Sequence, residues 1–378
     1  MKYQYGKKVI IFFIVLLFFT VSGQAEDLTI NLLTWQGYAP EKQVGIFEKE
    51  MKLKYGKTVK IVPKYLNDGA EVFKIVRSGW PHIFSAAHFI LNDERFKFIE
   101  NKIILPLDLK NIPNYRHVFD VFKPYVSYNA DTYAIPLSHG PVGLVYNTKY
   151  FKEAPTSWNI FWDPKYKGKY ATTSGTTEAN IYITALAMGY SESDMYDYSR
   201  LNNNEFKQRL KSLASNAESF WPGVDEAYHL KGLYFSTSWG WALAGLKDLG
   251  ETWKMADPVE GTLTWLDFHA ITHALKDKPL LKKIAEEWIN YTISPEFQVE
   301  VIVNSLSSFP VSRDIASGLT EQQVKTFHIN DPEYFAEHRR MWPTIRSKRD
   351  RNGLKLLWEE AIKGKTLKMR KNSALSDK

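Results

Sequence analysis

Five histidines, His82, His88, His139, His269 and His273, are the first residues whose type could do chemistry by binding a metal. Their spacings contain no HExxH pair or comparable set, so they read as core or surface residues rather than ligands. Glu260 and Asp267 offer two carboxylates, the raw material of a glycosidase. Two acids seven residues apart across a turn specify no geometry for that reaction. No GxSxG, P-loop or GxGxxG context is present. Catalysis is therefore the weak branch, and neither a metal nor a cofactor is expected. What the chain has in abundance is flat aromatic surface, with 12 Trp, 21 Tyr and 22 Phe. Such faces line methylene chains and attract cations by about 0.5–2 kcal/mol each.

The elements around these residues must position them. Residues 28–35 begin by alternating and then turn apolar, as a central strand does, and end in the turn Gln36-Gly37-Tyr38. A helix follows, with Pro40 in its first turn, Val44, Phe47, Met51 and Tyr55 on one face, and Gly56 as its stop. Residues 58–65 and 82–86 read as strands, 70–77 as a helix, and another helix is expected from about Asn92. The pattern recurs with strands at 169–173 and 233–237 and helices at 180–188 and 204–212. From Trp288 onward the chain reads as mostly helical, with Ser294-Pro295 as cap and first helical residue. Strands alternating with helices imply βαβ units and a mainly parallel sheet. Open sheets of this kind bind ligands beyond the carboxyl ends of their strands. That directs attention to residues 35–38, residues 85–88 and the strand end near Trp265.

The N-terminus reads as an export signal. Lys2, Lys7 and Lys8 precede an apolar run over 9–19, and Ser22, Gly23 and Ala25 supply small residues for cleavage after Ala25. The run is too short for an ordinary membrane span. The absence of cysteine excludes disulfides and a lipid on cysteine at the cleavage site, which suits a periplasmic protein that is not a lipoprotein. Taking the three signal lysines from the net charge of +7 leaves +4 for the mature chain. Much of the excess lies late, from Arg339, Arg340, Arg346, Lys348, Arg349 and Arg351 to Lys371. It reads as a solvated helical face and tail, with docking to an acidic membrane partner as the sharper alternative. A nucleic-acid partner is not expected.

Three stretches together resemble the periplasmic spermidine/putrescine-binding proteins of ABC importers. They are Tyr133-Ala-Ile-Pro-Leu-Ser-His-Gly-Pro-Val-Gly-Leu-Val-Tyr-Asn147, then Pro155-Thr-Ser-Trp158 with Phe161-Trp-Asp-Pro-Lys-Tyr-Lys-Gly168, and Pro258-Val-Glu-Gly-Thr-Leu-Thr-Trp-Leu-Asp267. Ser307-Ser-Phe-Pro310 is a weaker fourth. They occur in the family's order, and the likeness extends over nearly the whole mature chain. The resemblance implies an α/β fold of two lobes, each a mainly parallel sheet flanked by helices, joined by discontinuous strands with the ligand between them. The implied division is a signal peptide at 1–25, one lobe from 27–138 plus 264–306, the other from 139–263 plus 307–370, and a disordered tail at 371–378.

The resemblance also implies a site. Trp35 and Tyr38 match the aromatic pair after the first strand, and Ser85 a polar contact after the third. Trp265 and Asp267 match a wall and an amine-binding carboxylate, and Trp239 the wall of the second lobe. The family's second-lobe acids are represented only by Glu178, offset by about one residue, and the alternative acidic position corresponds to apolar Ala242 or Leu243. Glu260 reads as a structural turn residue, while Asp225 and Glu226 have no assigned place. The expected ligand is a polyamine-like cation such as spermidine, norspermidine or putrescine, held by a monomer and passed to a membrane permease. The alternative is a sensor that reports polyamine to a membrane signalling receptor of the cyclic-di-GMP and biofilm kind.

Overall fold

The computed structural model describes residues 28–364 except 67–68, 94, 330, 332–333, 336–337 and 346. The expected signal peptide and tail lie outside the described residues. Three strands open the chain: β1 (Leu28–Thr34), β2 (Val59–Tyr65) and β3 (Ile83–Ala87). A small hairpin, β4 (Ser127–Tyr128) and β5 (Asp131–Thr132), precedes the long strand β6 (Ala134–Asn147). There follow β7 (Tyr170–Thr173), β8 (Ser219–Trp221), β9 (Phe235–Ser238), β10 (Trp253–Met255), β11 (Thr262–Ile271), β12 (Phe309–Pro310) and β13 (Arg339–Met341). The strand order is β2-β1-β3-β11-β6-β9-β7-β8.

Both flanks are parallel: β2-β1-β3 on one side and β8-β7-β9 on the other. The antiparallel pairings belong to β6 and β11, which run through the middle and join the flanks. Early in β6 the partner is β11; later it is β9 and β10. All 14 residues of β6 and all 10 of β11 are buried, as strands covered on both faces must be. Their register shifts at Asp267/Phe268, where Asp267 faces Ser138 and Phe268 faces Pro136. Pro136 has no N–H to give the ladder, so an irregularity here is sterically natural, and it re-aims the neighbouring side chain.

The helix Glu41–Tyr55 forms where expected. Pro40 enters it, and Gly56 stops it at φ +64°, donating its N–H to the Lys52 carbonyl. It buries Phe47 and Met51 toward β2 and the helix Pro279–Thr292. One expectation needs correction. Asn92 ends a four-residue helix, His88–Leu91, rather than beginning one, because its side-chain amide donates to the His88 carbonyl at 3.1 Å. Beyond Trp288 the described residues are mostly helical, as expected, through Pro295–Phe297 capped by Ser294, Gln298–Ser305, Glu321–Thr326 and Lys348–Ala361, while the short strands β12 and β13 join the central strands.

Candidate functional site

At the end of β1, the turn through Gly37 (φ +93°) swings Tyr38 back under the sheet, where it is fully buried. A Cβ on Gly37 would lie 2.6 Å from a Leu306 methyl, so the close approach also needs glycine. The Tyr38 hydroxyl donates to Asp267 Oδ2 at 2.9 Å. Burial pushes the Asp267 carboxyl up to about 7, and the Tyr38 bond offsets only part of that. Burial and the adjacent carboxylate together hold the Tyr38 phenol well above its usual range, so it stays a donor. Asp267 has no cationic partner among the described residues. A carboxylate accepts about four hydrogen bonds; here its side chain receives one.

Trp35 is half-buried beside this pair, in the cluster of Tyr38, Leu137, Phe297 and Ile302. The second side supplies Trp241 to that cluster, its ring 6.5 Å from Tyr38. Ser85 lies beneath, with no exposure. Its hydroxyl bonds Thr34 Oγ1 at 2.7 Å and His269 Nδ1 at 2.9 Å, so its polar capacity is used internally.

Trp265 is two residues before Asp267 and 5% exposed, with its indole N–H unpartnered among the described residues. Gly140 makes room for it: a Cβ there would sit 2.8 Å from the indole ring. Trp239 turns the other way. Its indole N–H donates to the Gly223 carbonyl at 3.1 Å, and its ring meets Trp221 and Trp342 at 6.3 and 5.9 Å. Glu178 begins the helix Glu178–Ala187 and makes no hydrogen bond or ion pair among the described residues. It stands one turn before Tyr182, whose ring is 5.2 Å from Trp342. The predicted residues therefore divide: Trp35 and Tyr38 share one cluster, Tyr38 bonding Asp267, while Trp239 packs on Trp342 and Glu178 stands one turn before Tyr182, which also meets Trp342.

Sequence reasoning passed over three residues. Trp241 was visible only as the neighbour of Trp239 across Gly240. Trp342 is bound from several sides: its N–H donates to Thr264 O at 2.8 Å, and His88 Nε2 bonds its carbonyl at 2.9 Å. Burial lowers the His88 pKa to about 4, so this ring is neutral and donates through Nε2. Asp225, left unplaced, is buried and accepts from Ser238 Oγ, Trp239 N–H and Ala242 N–H at 2.5, 3.0 and 3.1 Å. Glu260 accepts from Ser157 and the Trp158 N–H, a turn-holding part. The five histidines occupy separate places, and no group of three or more potential ligands is arranged to hold a metal among the described residues.

A sequence model of the bacterial extracellular solute-binding proteins matches residues 81–338, more than half of the chain. The chain belongs to this family. Its role is to bind a solute, not to catalyse, and it works outside the cytoplasm. Solved structures agree on the fold. The spermidine/putrescine ABC transporter substrate-binding protein PotD of Streptococcus pneumoniae is 18% identical, with a TM-score of 0.71, over 89% of this chain and 99% of that one. A spermidine/putrescine ABC transporter protein of Listeria monocytogenes is 17% identical at 0.70, with the same coverage. The binding protein MotA of A. tumefaciens, in complex with glucopine, is 17% identical at 0.63, over 88% and 98%. The family member described here is accordingly an α/β protein of two lobes, with β6 and β11 passing between them.

Proposed function

We propose that this protein binds a polyamine-like cation of the spermidine, norspermidine and putrescine class in the periplasm and hands it to the permease of an ABC importer. Asp267 carries the proposal: a buried carboxylate with one donor, no cation, and a pKa raised to about 7. Leaving such a group unpaired is costly, and an ammonium beside it restores the ionised form. Tyr38 fixes the carboxylate's orientation, while Trp35 and Trp241 offer aromatic faces for methylenes. Within this reading the lobes comprise 27–138 plus 264–306 and 139–263 plus 307–370. The ligand enters when they part and stabilises the closed state, because only that state brings Trp241 to Tyr38.

Calorimetric titration of the mature chain with spermidine, norspermidine and putrescine tests this directly. Heat with at least one, lost in Asp267→Asn, is the expected result; silence with all three from folded, ligand-free protein would overturn it. The sensor reading rests on the altered second-lobe acids and on the basic C-terminal residues. Of the latter, Arg351 pairs with Asp93 at 3.2 Å, Arg340 lies 3.8 Å from Glu192, and Arg339 packs on Tyr334 and Phe309. That internal use favours delivery to an importer.

A further inference from the structure

Where the two lobes and the C-terminal segment meet, there is a cavity of about 450 Å³ that Asp267 does not line. That volume is within the range of small-molecule sites. Tyr125 comes from the first lobe, Glu192 and Tyr196 from the loop beyond the helix Glu178–Ala187, and Trp342, Thr344 and Asp350 from the C-terminal segment. The wall thus contains three aromatic rings and two carboxylates. A cationic ligand needs both kinds of group: faces that attract it and acids that offset its charge.

The walls are held in place from outside the cavity. Trp342 is anchored at its backbone by Thr264 and His88, and its ring lies 5.4 Å from Phe89. The Tyr125 ring stands 5.3 Å from His88, and its carbonyl accepts from Asn92. Asp350 accepts the Tyr198 N–H at 3.1 Å, which orients its carboxylate. A site prepared this way loses little side-chain freedom on binding. Arg340, 3.8 Å from Glu192, offsets one of the two acids. One net negative charge is left among Glu192, Asp350 and Arg340, the complement of a single ammonium.

We propose that this cavity binds one ammonium group of an amine ligand, at a site that both lobes build and that is separate from Asp267. It extends the cationic reading of the solute without depending on Asp267 as the contact.

The test is calorimetry of the intact mature chain with putrescine and with butylamine, in the wild type, Glu192→Gln, Glu192→Gln/Asp350→Asn and Asp267→Asn. Glu192 is half-exposed, and Asn at 350 still accepts from Tyr198, so these variants keep the fold, which circular dichroism verifies. Glu192→Gln should weaken amine binding about tenfold, and the double variant should abolish the cavity's share of it. Unchanged affinity and stoichiometry in the double variant, with binding lost in Asp267→Asn, overturns the cavity and leaves the Asp267 reading standing. Loss in the double variant with binding kept in Asp267→Asn does the reverse. A wild type that binds neither probe sinks both.

Discussion

Two aspartates, Asp225 just before the helix Ala227–Leu230 and Asp267 in β11, are buried to a similar depth and are provided for very differently. Asp225 receives three donors, two of them backbone N–H groups of the turn that carries Trp239 and opens the helix Ala242–Asp248. Asp267 receives, among the described residues, the phenol of Tyr38 alone. Burial raises both, but the better-bonded Asp225 is held to about 6, whereas Asp267 reaches about 7. Asp225 uses its hydrogen-bonding capacity to stabilise its own lobe. Asp267 has capacity left over, at a position where strands pass from one lobe to the other. A buried carboxylate left short of partners is a candidate for completion by a ligand.

The largest expected effect lies on the satisfied side. Asp225→Ala strands a hydroxyl and two backbone donors, which should cost about 4 kcal/mol of unfolding free energy in urea denaturation. Asp225→Asn, which keeps an acceptor, should recover part of it. If Asp225→Ala is as stable as the wild type, the contrast between the two acids is wrong. Next in size is Asp267→Asn. Amine affinity should fall about a hundredfold, equivalent to about 3 kcal/mol. The ligand-free variant should unfold no more easily at pH 8 than the wild type, because it no longer buries a charge. A stability loss matching that of Asp225→Ala would place Asp267 among the structural acids.

The contrast between the acids was only half legible in the sequence. The helix Glu41–Tyr55 could be read because its signals, Pro40 and Gly56, are local, and β1 because its pattern lies within seven residues. Asp267 was found through resemblance, since β11 is buried on both faces and shows no alternation to read. Asp225 could not be assigned because its partners lie 13 to 17 residues away, across β9 and the turn that follows. The Trp342–His88 bond spans 254 positions, beyond any periodicity argument. Asn92 misled because the same side chain that opens a helix can also close one, depending on which backbone group it meets.

Acidity separates the two carboxylates more finely. Asp267 has a folded pKa of about 7, above its ordinary 3.8, so its stability contribution is fully present below about pH 3.8 and is lost as pH rises through 7. Relative to Asp267→Asn, ligand-free wild type should therefore lose thermal stability between pH 4 and 7. Asp225 and the buried His88, His139 and His269, the histidines pushing the other way through their lowered pKa values, contribute to both proteins alike. Binding runs in the opposite direction, because an ammonium pairs with the ionised acid. Affinity should rise about tenfold per unit from pH 5 toward 7 and level off above it. Calorimetry at four pH values in wild type and Asp267→Asn checks the slope, and a slope surviving in the variant would assign the proton elsewhere.

The smallest effect concerns the two tryptophans beside Asp225. Gly240, at φ +97°, lets the chain reverse between them, so Trp239 meets Trp221 while Trp241 reaches Tyr38. Resemblance pointed to Trp239 as the wall; it is Trp241 whose ring lies beside Tyr38, the partner of Asp267. Trp241→Leu should weaken amine binding about fivefold, equivalent to about 1 kcal/mol of lost aromatic contact. Trp239→Leu should leave affinity within about twofold, since its ring faces its own lobe. The reverse ranking in titrations run side by side would return Trp239 to the wall and limit Trp241 to holding the lobes together.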